Sequence, residues 1–140
     1  MKKISRLLII ALFIISIITS SCVVSFAVNE LELVVNGVAK ASIVIPQNPE
    51  KSERYAANIL RERLKTITGA ELPLINDSEE PSGSEINIGQ TNRKQFDFGQ
   101  KPKGSYFVTA DNSHLYICGT GSSGTLDGVY RFLEDICGYT

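Results

Sequence analysis

One amphipathic stretch, delimited at both ends, constrains the fold of this chain more than any other feature. Asn48, Pro49 and Glu50 read as a helix start, with Asn at the cap, Pro at the first helical position and an acid in the first turn. Ala56, Ile59, Leu60, Leu64 and Ile67 then recur at helical spacing, while Glu53, Arg54, Arg61, Glu62 and Lys65 fall largely on the other side. Gly69 stands where a left-handed stop is expected. A helix with one apolar face has to lie on something. The short β-rich runs on either side, residues 42–45 and 72–75, complete a strand–helix–strand unit, whose strands should be parallel and whose crossover should be right-handed. The helix thus predicts a sheet beneath it.

The remaining segments supply that sheet. Residues 31–35 and 42–45 flank Asn36-Gly37, the strongest hairpin signal in the chain, and should pair or at least neighbour each other. Residues 76–84 (NDSEEPSGS) read as a surface loop and residues 85–88 as a strand. Residues 92–104 carry Arg93, Lys94, Lys101 and Lys103 with Phe96 and Phe98 and show little period. A solvated loop anchored by two Phe explains them better than a binding loop. Residues 106–109 and 114–118 form a hairpin around Asp111-Asn112-Ser113. A second helix runs from about Ser123 to Ile136, capped by Ser123, with Leu126, Val129, Tyr130, Leu133 and Ile136 on its apolar face and Gly138 as its stop. The expected fold is α+β, a two-layer sandwich of one mixed β-sheet with two main helices on one face.

At 140 residues the chain suits one compact domain and is too short for a separate catalytic barrel of about 250 residues. With 43% hydrophobic and 21% charged residues, 11 Gly and 5 Pro, it is neither disordered nor collagen-like. Lys2, Lys3 and Arg6 precede the uncharged apolar run 7–18, the layout of an export signal. Ser25 and Ala27 place cleavage after Ala27, leaving residues 28–140 as the mature domain, secreted or at the cell surface. A lipoprotein with Cys22 lipidated and an uncleaved anchor are the alternatives, and through these alone would the chain meet a membrane. Without the leader, acids outnumber bases, so no basic surface invites nucleic acid. Cys118 and Cys137 are expected as free, buried thiols. A helix of about 14 residues separates them by roughly 20 Å, beyond the reach of a disulfide.

Gly119-Thr120-Gly121-Ser122-Ser123-Gly124 matches G-x-G-x-x-G between a strand and a helix, as a dinucleotide site requires. The preceding strand reads as the second arm of a hairpin, and no strand bearing a ribose-binding acid follows. The expected role of Gly119, Gly121, Gly124 and Gly128 is therefore tight strand-to-helix packing, with no cofactor. No catalytic or metal-ligating residues are expected. His114 is the lone histidine, the G-x-S-x-G pattern is missing, and Glu79-Glu80 and Glu134-Asp135 are adjacent pairs that cannot face each other across a substrate.

Tyr55-Ala56-Ala57, residues 68–73 (TGAELP) and Ile86-Asn87-Ile88-Gly89, followed by Leu115-Tyr116-Ile117-Cys118-Gly119 and residues 124–134 (GTLDGVYRFLE), resemble the N-terminal accessory domain of certain glycoside hydrolases. This domain precedes the barrel in α-glucuronidases of family 67, in β-N-acetylhexosaminidases of family 20 and in related uncharacterised secreted bacterial proteins. The likeness covers about residues 40–138. Many relatives carry an aromatic residue where this chain has Asp127. The resemblance implies that the catalytic carboxylates belong to a following barrel, before which this chain stops, and that its partner is that barrel. Asp127, Tyr130, Phe96 and Phe98 are the candidate interface residues. An independent carbohydrate-binding module, holding polysaccharide or oligosaccharide on Phe96, Phe98 and Tyr106, is the alternative function, and a dinucleotide-binding domain the third.

Overall fold

The computed structural model describes residues 31–135, 137 and 138. The expected leader, its cleavage site and Cys22 lie outside the described residues. The elements are β1 (Val34–Val35), β2 (Val38–Ala39), β3 (Ala41–Ile45), α1 (Lys51–Thr68), β4 (Leu74–Asn76), β5 (Ser84–Ile88), β6 (Tyr106–Ala110), β7 (His114–Gly119) and α2 (Gly124–Asp135). Five strands form a mixed sheet in the order β4-β3-β5-β7-β6. β3 runs parallel to β4 and β5, β5 runs parallel to β7, and β6 closes the edge antiparallel to β7. Both helices pack on one face and touch each other, which is the α+β arrangement that the sequence predicts.

The hairpin signal needs a correction. Asn36 (φ 51°) and Gly37 (φ 74°) make the expected two-residue turn, but it joins β1 to β2 in a separate two-stranded sheet. Residues 42–45 pair with β4 and β5 instead. Ile43, Val44 and Ile45 are buried on both faces, and a central parallel strand buries them better than one arm of a surface hairpin.

The start of α1 also shifts. Its N-cap is Glu50, whose backbone N–H donates to Glu53 Oε2 at 2.9 Å, and not Asn48. Pro49 biases Asn48 toward extended backbone, so the helix opens after the proline. The far end stops as expected, at Gly69 (φ 75°), whose N–H donates to the Lys65 carbonyl at 2.9 Å. Ala56, Ala57, Leu60 and Leu64 face the sheet, whereas Ile67 is left exposed. Eighteen helical residues span about 27 Å and five strand residues only about 17 Å, so the last turn overhangs the sheet.

Ile43, Ile45, Ile86, Ile88, Leu115 and Ile117 project from the sheet into the core formed with Leu60, Leu64, Val129, Phe132 and Leu133. The alternate positions Ser42, Glu85, Asn87, Tyr116 and Cys118 point the other way and are buried as well. Their cover is the segment between β5 and β6. Phe96 and Phe98 stack on Phe107 with ring centroids 5.8 and 4.9 Å apart, and Phe96 meets Tyr116 edge-on at 5.7 Å. Lys94 Nζ lies 4.9 Å from the Tyr116 ring. Burial, followed by a hydrogen bond with Asp111, pushes the Tyr116 phenol up to about 12.

Arg93 fastens this cover. Its Nε and Nη2 donate to the two carboxylate oxygens of Glu85 at 3.0 and 3.2 Å, and Nη1 donates to the carbonyl of Asp77 at 2.8 Å. The buried Asp77 carboxylate in turn accepts the backbone N–H groups of Gln47 and Asn92. Glu85 is fully buried, so removing its partner strands a charge in a dry site, where the loss is typically about 3–5 kcal/mol. We expect Arg93→Ala to lower stability by about that amount in urea unfolding, and Arg93→Ala combined with Glu85→Ala to recover part of it. A loss below about 1 kcal/mol for the single variant would show the pair to be solvated.

Candidate functional site

The three parallel strands β3, β5 and β7 end side by side, and a half-open crevice of about 300 Å³ lies beyond their carboxyl ends. Pro46 and Asn48 follow β3, Glu50 and Glu53 open α1, Gln90 follows β5, and Gly119, Gly121 and Thr125 bring β7 into α2. The site therefore lies between the starts of the two helices. It also sits at a divergence in the chain path, because β3 leads through α1 to β4 on one side while β5 is joined to β7 on the other. Open α/β sheets place ligands at such a switch point.

Glu53 lines the crevice. Its carboxylate accepts the backbone N–H of Glu50 at 2.9 Å and a second backbone hydrogen bond from Gln90. It lies so close over Gly89 (φ 81°) that a Cβ there would overlap it, so only glycine lets this carboxylate reach the end of β5. Burial raises the Glu53 carboxyl above the usual glutamate range, and the backbone donors oppose the rise. Gln90 is turned away, its side chain donating to the Phe96 carbonyl and accepting the Phe96 N–H. In the sequence Glu53 falls on the solvated face of its helix and nothing marks it as a site residue, because the lining comes from three separated segments.

The glycine-rich segment bends around the other wall. A Cβ on Gly119 would overlap the backbone of Gly124, and one on Gly124 would lie 2.6 Å from the Ser105 carbonyl oxygen. On Gly128 it would come within 2.9 Å of Ile117, and Gly121 makes its turn at φ 68°. The backbone of residues 102–105 runs along this loop. Gly104 N–H donates to Thr120 O at 2.9 Å, Thr120 N–H to Ser105 O at 2.8 Å, and Thr120 Oγ1 to Pro102 O at 2.7 Å. Thr125 Oγ1 accepts the Gly119 N–H at 3.0 Å. These glycines serve close backbone approach, and the strand beside them is a hairpin arm.

The sheet separates the other candidates. Asp127 and Tyr130 are exposed on α2, whereas Phe96 and Phe98 are half-buried in the cover on the opposite face. Tyr106 contacts Gly128 on the helix side, so Phe96, Phe98 and Tyr106 cannot form one sugar-stacking platform. Neighbouring positions Tyr106 and Phe107 point to opposite faces of β6. His114, unremarkable in the sequence, lies with Nδ1 3.0 Å from Ser113 Oγ and 3.3 Å from Asp111 Oδ1, and with Nε2 3.5 Å from Glu85 Oε2. Asp111 Oδ1 accepts the N–H groups of Ser113 and His114, which makes the cluster a turn, and Glu85 is already paired with Arg93.

Cys118 and Cys137 are free thiols; Cys118 is buried and Cys137 half-buried, and burial pushes Cys118 up to about 11. Among the described residues no group of three His, Cys, Asp or Glu is placed to hold a metal, and no helix is long and apolar enough to cross a membrane. Comparison with known proteins finds no matching family model and no matching curated protein.

Two outcomes follow from this geometry. Gly124→Ala should lower the thermal midpoint and cost about 1–3 kcal/mol, because the Ser105 backbone has to move; an unchanged midpoint would reject the close approach. Since the Glu53 carboxyl is raised in the folded chain, its contribution to stability is greatest below the ordinary glutamate range and is lost as pH rises through the raised value. Wild type should therefore lose stability relative to Glu53→Gln as pH rises upward from the ordinary glutamate range in urea titrations. A constant difference, or one of opposite sign, would contradict the desolvation of Glu53.

Proposed function

We propose that the chain is a non-catalytic accessory and docking domain of an exported carbohydrate-active enzyme, of the kind that precedes the barrel in α-glucuronidases and β-N-acetylhexosaminidases. Its partner is a catalytic barrel. The observation that carries the reading is an apolar flank of the edge strand β6 that the described residues leave uncovered. Tyr106 and Val108 are 39% and 37% exposed although they point to the helix side of the sheet, where their cross-strand partners Gly119 and Ile117 are covered by α2. Beside them an apolar hollow of about 350 Å³ is lined by Leu31, Leu33, Val108, Thr109, Ala110, Leu115 and Phe132. Among the described residues β6 pairs only with β7, so one side of its backbone is left for another partner. A free edge with an apolar flank is costly in water and suits burial against a second domain.

The arrangement of acids supports a non-catalytic role. Glu79 and Glu80 are exposed in a loop, Asp135 pairs with Arg131 at 2.7 Å, and Glu53 holds the cap of α1. Hydrolysis of a glycoside by the usual route needs two carboxyl groups about 5–9.5 Å apart across the sugar.

The test is to mix the purified chain with a (β/α)₈ hydrolase barrel encoded in the same genomic neighbourhood and to measure association by calorimetry. We expect association, weakened by about tenfold or more in Val108→Asp, and no turnover of aryl glucuronides or aryl N-acetylglucosaminides by the chain alone. Turnover by the chain alone, or association insensitive to Val108→Asp, would overturn the reading.

A further inference from the structure

We propose that the crevice between the starts of α1 and α2 binds one small, neutral, hydroxyl-rich ligand, such as a single sugar residue. The polar groups of the wall select the ligand whether or not the domain docks on a barrel. Thr125 is only 3% exposed, yet it lines the crevice. Its oxygen accepts the Gly119 N–H, and its own proton has no acceptor among the described residues. A buried hydroxyl with an unspent donor is costly, and a ligand oxygen would satisfy it. In the same lining, Glu53 uses two of its acceptor sites on backbone N–H groups, and a carboxylate has about four. Asn48 adds an amide whose side chain has no hydrogen-bond partner among the described residues.

These groups select a ligand by elimination. Two helix starts would favour an anion, but Glu50 and Glu53 stand in the lining with no Lys, Arg or His to offset them, so phosphate and carboxylate are disfavoured. A bare cation or an ammonium group would suit the carboxylates and leave the Thr125 proton without an acceptor. A hydroxyl group donates and accepts at once, so it satisfies Glu53 and Thr125 together, and several hydroxyls on one small frame can also reach Asn48. The lining holds no aromatic side chain, so hydrogen bonds carry the binding and the affinity is millimolar. The site is distinct from the Phe96 and Phe98 cover on the far face.

The experiment follows backbone amide shifts of the ¹⁵N-labelled full chain during titration with xylose and glucose, with phosphate, glucuronate and magnesium as contrasting probes. Neutral sugars should give saturable shifts at Gly89, Gln90, Gly119, Gly121 and Thr125, and phosphate and magnesium none there. Thr125→Val should weaken binding about tenfold and Thr125→Ser by less than about threefold. Because Thr125→Val also removes the acceptor of the Gly119 N–H, the exposed Asn48→Ala serves as a second variant and should weaken binding by about threefold or more. No saturable shift with either sugar, shifts confined to the Phe96 and Phe98 segment, a response to phosphate or magnesium alone, or Thr125→Val and Asn48→Ala both binding as wild type would overturn the proposal. A barrel-binding result for Val108→Asp leaves these outcomes untouched, so the two readings fail separately.

Discussion

The bidentate contact between Arg93 and Glu85 lets a sheet whose two described helices lie on one face bury both of its faces. Glu85 lies on central strand β5 with no exposed surface, a position where an unpaired carboxylate is costly. Arg93 neutralises it and also reaches the carbonyls of Asp77 and Glu79, so one guanidinium ties the loop after β4 to the segment after β5. That segment carries Phe96 and Phe98 onto Phe107. Without the pair, Asn87, Tyr116 and Cys118 would lose the cover that keeps them dry. The buried Asn87 Nδ2 has no hydrogen-bond partner among the described residues, which marks the layer as less completely satisfied than the aliphatic core on the helix side.

The helix side follows a different logic. Close approach there depends on missing side chains: Gly119 and Gly124 bring β7 and the start of α2 together, and Gly128 lets the helix settle on Ile117. The same device acts at Gly89, where the Glu53 carboxylate comes down onto the end of β5. Together these contacts shape the crevice at the carboxyl ends of the strands. Its wall is polar because backbone ends and helix starts converge there, and its carboxylates face no cation in the lining. The apolar hollow beside β6 lies elsewhere and has the opposite character. A polar recess and an apolar edge on one small domain can serve a small ligand and a large partner independently.

Much of the fold was legible before any coordinates, because periodicity and punctuation are local properties. The spacing of Ala56, Leu60 and Leu64, the stop at Gly69, the turn at Asn36-Gly37 and the hairpin around residues 111–113 depend on neighbours within a turn or two, so the chain itself specifies them. The α+β class follows, since two one-faced helices and several short strands have few ways to bury their apolar sides. Strand partnership was less legible. Residues 42–45 fit equally well beside a hairpin arm or in the middle of a sheet, and only the competition among all strands for the two central positions decides between them.

Of the candidate site only the glycine turn at Gly119 and Gly121 was legible. Glu53 reads as one more charge on a helix face, and Gly89 and Gln90 as the end of a strand, until β3, β5 and β7 are laid side by side and bring three distant segments to one end of the sheet. The pairing of Glu85 with Arg93 was hidden for the same reason, since a buried ion pair leaves no periodic trace. What the sequence determined by itself was therefore the set of elements, their punctuation and the glycines that permit close contact. Only the tertiary structure decided which strands pair, which charges are buried together and where the crevice opens, because those outcomes depend on long-range contacts between segments that carry no record of each other.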